Sequence, residues 1–426
     1  MPKLEPVKGT RDLYPEQKYV QDFIFAVWKD VGERFGYEDM EGPLLEPAEL
    51  WKLKSGSEIP EQMYVFTDKG NRQVAIRPEL TPTIARMAAA KQKSLAKPLR
   101  WYSIGRFWRY EQPQSGRMRE FWQFNCDCMG GDTMRMDAEV IAVSAAIMLV
   151  AGATEKDFYI RLGNRKLIQG LMAAAGVDKE LIQEVSRLLD KKDKIGQENY
   201  ELSLKDAGLS QQTIEALDKA LSQKLEDVEE QSLDEEGKQG LEELKELVGL
   251  LKAYGLEELV EIDLSIVRGF DYYTSTVFEI FDRSKKLRAV AGGGRYENLV
   301  EDFGGERLAG IGFGMGDVVL ELFLKNIGQL PEYQKDVDAL VIAVDDSCYL
   351  SCIETAQAMR MEGLNIEIDL LGRKVGKQFE YADKHSVPYV IVIGPEEAAK
   401  KKVKLKDMDT GKEEILTVDQ AMERIR

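Results

Sequence analysis

Residues 106–128, Arg-Phe-Trp-Arg-Tyr-Glu-Gln-Pro-Gln-Ser-Gly-Arg-Met-Arg-Glu-Phe-Trp-Gln-Phe-Asn-Cys-Asp-Cys, constrain the fold more than any other stretch of this chain. They predict two antiparallel strands joined by a polar loop, Gln112 to Arg117, with Pro113 and Gly116 as turn residues. A side-chain period of two groups Phe107, Arg109 and Glu111 on one face of the first strand. On the second strand it groups Arg119, Phe121, Gln123, Asn125 and Asp127, leaving Trp122, Phe124, Cys126 and Cys128 for the apolar face with Trp108. Such a pair buries one side and presents arginine, carboxylate, aromatic and amide on the other. Arginine suits phosphate, a carboxylate suits an ammonium or imidazole, and an aromatic face suits a base. A strand pair with a merely salted outer face would read the same way.

At 426 residues and 44% apolar content the chain can bury two or three cores. The longest apolar run, Val140 to Ala153, falls short of the ~18 residues a membrane helix needs and predicts a buried helix. The first residues, Met1 to Pro6, lack the apolar centre of a signal peptide, so the expected location is cytoplasmic, with no membrane partner. Four cysteines give no disulfide framework, and a single histidine, His385, argues against a His-ligated metal centre or a Ser-His-Asp hydrolase. No protein-held metal is expected. The net charge of −17 is unevenly spread: residues 201–250 hold fourteen Asp or Glu against five Lys, whereas residues 100–119 hold five Arg and one Glu. RNA binding through a local basic patch stays open, with weaker long-range attraction.

Apolar spacing predicts a helix from Pro15 to Phe35, then an extended segment Tyr37 to Glu46. A hairpin is expected from Glu61–Thr67 and Val74–Arg77, and helices from Thr81 and from Asp137 to Val150. After a short strand at 158–161, residues 165–261 read as helical and charge-rich. Strands resume at 261–267, 271–281, 289–293 and 308–316, with a helix over 317–326. Past a linker at 329–333, strands at 338–344, 365–370, 388–393 and 402–408 alternate with helices, predicting a small, mostly parallel α/β domain. A flavodoxin-like module would share that pattern.

Three motifs carry a resemblance over nearly the whole chain. Arg109-Tyr110-Glu111, the loop, and Arg117 to Phe121 resemble motif 2 of the class II aminoacyl-tRNA synthetases. That motif alone would also fit prolyl, threonyl or glycyl enzymes. Val267-Arg268-Gly269-Phe270-Asp271-Tyr272-Tyr273-Thr274 and Ala291-Gly292-Gly293-Gly294-Arg295-Tyr296 are similar to the two signatures that mark the histidyl-tRNA synthetases within the class. Lys8 to Asp12 adds to the likeness, and Tyr37 to Glu46 resembles motif 1, the unit through which the class dimerises, although an edge strand ended by Gly-Pro fits equally. The resemblance implies an α+β fold: an antiparallel-sheet catalytic domain in two parts, 1–164 and 262–328, a helical insertion at 165–261, and a C-terminal α/β anticodon-binding domain at 335–426.

It also implies a reaction: ATP-dependent ligation of L-histidine to tRNA(His) through a histidyl-adenylate, by a homodimer, with Mg²⁺ accompanying ATP and no permanent cofactor. The substrate carboxylate is itself the nucleophile, which suits a chain poor in histidine. By resemblance Arg109 and Arg268 are the cations at the reacting centre. Glu79, Thr81 and Gln123 would take the α-amino end of histidine, Asp127 and Tyr273 its imidazole, with Tyr272 and Tyr296 lining the pocket. Adenine would lie on Phe121, with Glu111 reading its amino group and Arg117 the terminal phosphates. For tRNA the implied contacts are Arg11, Gln112, Gln114, Arg373 and Lys374, with Lys377 near the last two; the two glutamines equally fit a polar turn contacting water.

One motif departs from the family. Motif 3 usually ends Gly-x-Gly-x-x-Arg, whereas Gly314-Met315-Gly316-Asp317-Val318-Val319 puts valine in the arginine's place. The lost cation–π contact with adenine is worth roughly 0.5–2 kcal/mol. The departure raises a rival expectation, a histidine-binding regulatory paralogue that charges no tRNA and serves histidine biosynthesis. No complete motif supports a metabolite-binding or hydrolytic α/β enzyme.

Overall fold

The computed structural model describes residues 4–52, 58–267 and 272–426. These fall into two compact units, Met1–Pro331 and Glu332–Arg426. In the first, the helix Pro15–Arg34 starts at its proline, whose fixed φ suits a first helical turn. Strands β1 (Glu38–Asp39), β2 (Leu45–Pro47), β3 (Tyr64–Thr67) and β4 (Gln73–Ile76) precede the helix Thr81–Lys91. Next come β5 (Leu99–Trp108), β6 (Glu120–Met129), the helix Met134–Val150 and β7 (Phe158–Asn164). Helices fill most of 165–253, and β8 (Val260–Ile262) follows. Then β9 (Thr276–Asp282), β10 (Ala291–Tyr296) and β11 (Gly310–Gly316) lead into the helix Asp317–Asn326.

The described residues form an eight-stranded sheet in the order β1-β5-β6-β11-β10-β9-β7-β8. It is antiparallel except at its edges, where β1 runs parallel to β5 and β8 to β7. Alternation along β6 divides the apolar layers. Phe124, Cys126 and Cys128 enter one cluster with Trp28, Ile141 and Phe158, while Phe121 packs on the other side with Phe107, Leu80, Ile84 and the tyrosines 272, 273 and 296. The acidic stretch folds because Leu241, Leu244, Leu247 and Leu251 recur at helical spacing and are buried in the helix Glu235–Ala253. Those leucines belong to the same cluster as Phe124 and Phe158, so this helix shares a core with the sheet.

Several boundaries differ from the sequence expectation. The first strand of the hairpin stops at Trp108 instead of running to Glu111. Arg109 N still donates to Arg119 O at 2.9 Å, but the amides of Arg119 and Glu120 both turn to Gly9 O, at 2.9 and 3.1 Å. The Lys8–Asp12 loop thus takes the bonds a longer ladder would use. The strand expected from Glu61 begins at Tyr64, because Glu58–Gln62 is helical. The strand expected at 271–281 begins at Thr276; Thr274 N donates out of line to Arg295 O at 2.8 Å. Tyr272 and Tyr273 therefore escape the alternation of a strand.

In the second unit β12 (Ala339–Ala343), β13 (Ile366–Ile368), β14 (Tyr389–Ile393), β15 (Val403–Asp407) and β16 (Glu413–Leu416) form a sheet in the order β13-β12-β14-β15-β16. Only the β12–β13 and β12–β14 pairs are parallel, which corrects the expectation of a mostly parallel sheet. Neither β16 nor the closing helix Val418–Ile425 was foreseen. Asp407 Oδ1 accepts from the amides of Asp409 and Thr410, and Gly411 adopts φ +70°, so the chain turns straight back. A tight turn forces an antiparallel neighbour, since a parallel one needs a long crossover.

Candidate active site

The site starts from β6 and what lies beside it. Gly312 of β11 stands opposite Asp127, and Gly314 opposite Asn125. A Cβ at Gly312 would collide with Asp127 Oδ1, and one at Gly314 with Gln123 Nε2. The two glycines therefore leave room for the polar side chains of β6 to lie across the sheet. Gly312→Ala is expected to destabilise the fold by about 1–3 kcal/mol, as overpacking does. It also pushes the Asp127 carboxylate aside; a thermal melt within 1 °C of the parent would refute that packing.

A cavity of about 740 Å³ opens on this face. Glu79, Thr81, Arg109 and Glu111 reach it from the segments that flank β5. Arg117, Phe121 and Gln123 come from β6 and its loop, and Tyr272, Tyr273 and Tyr296 from the far wall. Asp127 lies one layer below, 1% exposed. Ten of the twelve residues expected to bind histidine or ATP thus line one cavity, and Asp127 underlies it through Tyr296. Arg268, the twelfth, lies outside the described residues.

Each wall is fixed by its own bonds. Arg109 Nε donates to Pro78 O at 2.9 Å, which lays the guanidinium 5.3 Å over the Phe121 ring. Glu111 forms an ion pair with Arg117. Gln123 Nε2 donates to Asn125 Oδ1 at 2.9 Å. Tyr272 Oη donates to Glu79 Oε2 at 2.9 Å, and its ring meets those of Tyr273 and Tyr296 edge-on. Tyr296 Oη donates to Asp127 Oδ1 at 2.6 Å, while Asp127 Oδ2 has no hydrogen-bond partner among the described residues.

That bare oxygen matters. A buried carboxylate without a full set of donors resists ionisation. Burial pushes the Asp127 carboxyl up to about 7, the Glu79 charge adds to the rise, and the Tyr296 hydroxyl opposes it. Burial also raises the Tyr272 and Tyr296 phenols well above their ordinary value, so both remain neutral donors. Beneath the cavity, behind Tyr296, lies a carboxyl that burial raises to about 7 and whose Oδ2 is short of a donor.

Further residues on the cavity were not foreseen. Arg161 of β7 and Glu279 of β9 face each other across the strand pair, and Phe281 lies beside them. Lys285 and Arg288 come from the β9–β10 connection, and Asp190 from the helix Ile182–Ile195. Val318 and Val319 line the same cavity, so the expected position of the motif 3 arginine is part of the wall.

The suggested tRNA contacts scatter. Gln112 and Gln114 are exposed on the loop, closed at its tip by a Gln114–Arg117 bridge. Arg11 pairs with Asp317 and Glu321 and lines a separate cavity of about 640 Å³ with Arg106 and Trp122. In the second unit Arg373 pairs with Asp369 and lies 4.5 Å over the Tyr381 ring; Lys374 is exposed.

Residues 9–316 match the family described as histidyl-tRNA synthetase, and residues 338–426 match the anticodon binding domain family. The histidine--tRNA ligase of Leptospira biflexa is 39% identical over 427 residues, covering 99% of this chain and 97% of that protein. That of Thermococcus kodakarensis is 38% identical, covering 100% and 99%. Among solved structures, the histidyl-tRNA synthetase of a Nostoc species superposes with a TM-score of 0.83 at 26% identity, covering 99% of both chains. A Bacillus halodurans protein described as an ATP phosphoribosyltransferase regulatory subunit/histidyl-tRNA synthetase gives 0.74 at 25% identity, covering 92% of this chain and 97% of the other. With a family match across most of its length and full-length relatives above a third identical, the chain belongs to the histidyl-tRNA synthetase family.

Proposed function

We propose that this chain joins L-histidine to tRNA(His) in two steps within the 740 Å³ cavity. In the first, a carboxylate oxygen of histidine attacks the α-phosphorus of ATP; the new P–O bond forms as the bond to pyrophosphate breaks. In the second, a terminal ribose hydroxyl of the tRNA attacks the acyl carbon and AMP leaves. The observation that carries this reading is the bare Oδ2 of Asp127 beneath a wall that holds Arg109 over Phe121. The carboxylate beneath Tyr296 lacks one N–H donor, which an imidazole would supply, and the wall offers a cation and a ring for a nucleotide.

In this reading Arg109 bridges the histidine carboxylate and the α-phosphate, and Arg268 is the second cation. Glu79, Thr81 and Gln123 hold the α-amino group, while Asp127 and Tyr273 hold the imidazole between Tyr272 and Tyr296. An amino acid without two ring nitrogens leaves these buried groups unpaired, a penalty that gives selectivity. Adenine rests on Phe121 with Glu111 at its amino group, and Arg117 meets the outer phosphates. Among the described residues no three His, Cys, Asp or Glu side chains gather as a metal cage. Mg²⁺ would accompany the triphosphate, keeping part of its water shell.

We assign 1–164 with 262–328 to catalysis, 165–261 to the insertion, and 335–426 to anticodon binding through Arg373 and Lys374. Arg11, Gln112 and Gln114 would meet the acceptor end. A class II homodimer in the cytoplasm completes the reading. Among the described residues no helix is long and apolar enough to cross a membrane. No observation favours the regulatory alternative, and the match of residues 338–426 to an anticodon-binding family speaks for charging. Exchange of labelled pyrophosphate into ATP is expected only when histidine and Mg²⁺ are present, followed by acylation of tRNA(His). A folded protein that binds histidine yet shows no exchange would defeat this function.

A further inference from the structure

Glu243 sits in the acidic stretch 201–250, and its carboxylate is turned inward. Oε2 accepts from Asn164 Nδ2 and from Ser275 Oγ, both at 2.9 Å. Oε1 accepts from Lys166 Nζ at 2.7 Å and from Gln239 Nε2 at 2.9 Å. Burial acts against the charge, but the bonds from Lys166, Asn164 and Ser275 outweigh it and hold the carboxyl below its ordinary range. One side chain of the helix Glu235–Ala253 thus gathers the β7–helix junction and the approach to β9.

Ser275 is the telling member of that group. It is 0% exposed and stands two residues from Tyr273 on the cavity wall. Its carbonyl accepts from Arg165 N at 2.8 Å, and the preceding Thr274 N donates to Arg295 O at 2.8 Å. Tyr272 and Tyr273 are outside the sheet ladder, so their positions depend on anchors of this kind.

We infer that Glu243 is a positioning residue for histidine recognition, fixing Ser275 and hence the Tyr272–Tyr273 segment from the helical insertion. The inference rests on the proposed function, in which those tyrosines line the histidine pocket. The insertion is then part of the amino-acid site's frame, and the arrangement of its last helix reaches the imidazole end of the cavity. ATP, placed over Phe121, is outside this linkage.

Steady-state exchange on purified full-length variants tests it. Glu243→Ala is expected to raise the KM for histidine about ten-fold, the scale of one lost charged hydrogen bond. The KM for ATP should stay within two-fold. Ser275→Ala should shift histidine in the same direction, and the double variant should be no worse than Glu243→Ala, because both remove one link. Glu243→Gln, which keeps the shape and an acceptor, should recover most of the histidine KM. Equal rises for both substrates, or additive single effects, would mark a merely structural role and overturn the inference. If Glu243→Ala does not fold, Ser275→Ala decides alone: an unchanged histidine KM overturns it. Calorimetric Kd values for histidine separate this from failure of the parent reading. If wild-type protein binds histidine without exchange, catalysis falls and the ratio of Kd values still decides the role of Glu243.

Discussion

Arg109→Ala is expected to lower histidine-dependent pyrophosphate exchange by about 10²–10³-fold, the scale of losing one preorganised charge partner of a transition state. Charge gathers on the α-phosphate oxygens as the substrate carboxylate attacks. In the proposed reaction a guanidinium already seated by Pro78 O and stacked over Phe121 would meet that charge without reorganising. The loss should fall more on kcat than on the KM for either substrate, because the interaction strengthens as the reaction proceeds. Arg109→Lys keeps a charge but not the planar fork that can bridge two oxyanions, so it should recover only a small part. Circular dichroism should show an unchanged fold. Activity of Arg109→Ala within ten-fold of wild type would remove this residue from the reacting centre.

Asp127→Asn should separate stability from function. Histidine kcat/KM is expected to fall about 10²-fold, since the buried group that the proposed function pairs with an imidazole N–H loses its charge. Stability should move the other way at high pH. The folded carboxyl titrates near 7 against an ordinary value of 3.8, chiefly through burial. The folded state therefore holds this proton more tightly than the unfolded chain. Its contribution to stability is present below the unfolded value and is lost as pH rises through the range up to about 7. Above that range the ionised group destabilises by up to about 4 kcal/mol, an upper bound. Asparagine removes that slope. Melts at about pH 5 and about pH 8 should show the variant gaining on the wild type as pH rises; parallel curves would mean that Asp127 is not ionised against burial. If histidine supplies the missing donor, as proposed, its addition should recover part of the lost stability in the wild type alone.

The alternation of β6 was legible because it depends on a period of two and on immediate neighbours. Phe121, Gln123 and Asp127 share a face in the structure as in the sequence, and Phe124, Cys126 and Cys128 share the other. Helix starts were legible for the same reason: Pro15 opens the first helix, and Asp317 begins the last helix of the catalytic unit. Val319 was legible as a departure only through the motif; its place on the cavity wall came from the structure.

Other features were hidden because nothing nearby encodes them. Arg161 looks like any charged residue on a strand until β9 sets Glu279 opposite it. The resemblance puts both Tyr272 and Tyr273 in the pocket, and both rings line the cavity, but a strand over 271–281 would have sent them to opposite faces; the ladder starts only at Thr276. Glu243 is one of fourteen acidic residues in 201–250, and nothing near it in sequence marks its bond to Ser275. β16 was missed although Asp409-Thr410-Gly411 carried a turn signal, because alternating strands and helices suggested crossovers throughout.

The amino-acid sequence by itself determined the α+β class, the polar face of β6, and the family to which the chain belongs. Those depend on spacing between near neighbours and on short motifs, which survive without coordinates. Only the tertiary structure decided which distant strands adjoin, where ladders stop, and that Asp127 accepts from Tyr296 while Glu243 holds Ser275. Long-range register follows from packing the whole core, a collective outcome that no local window contains.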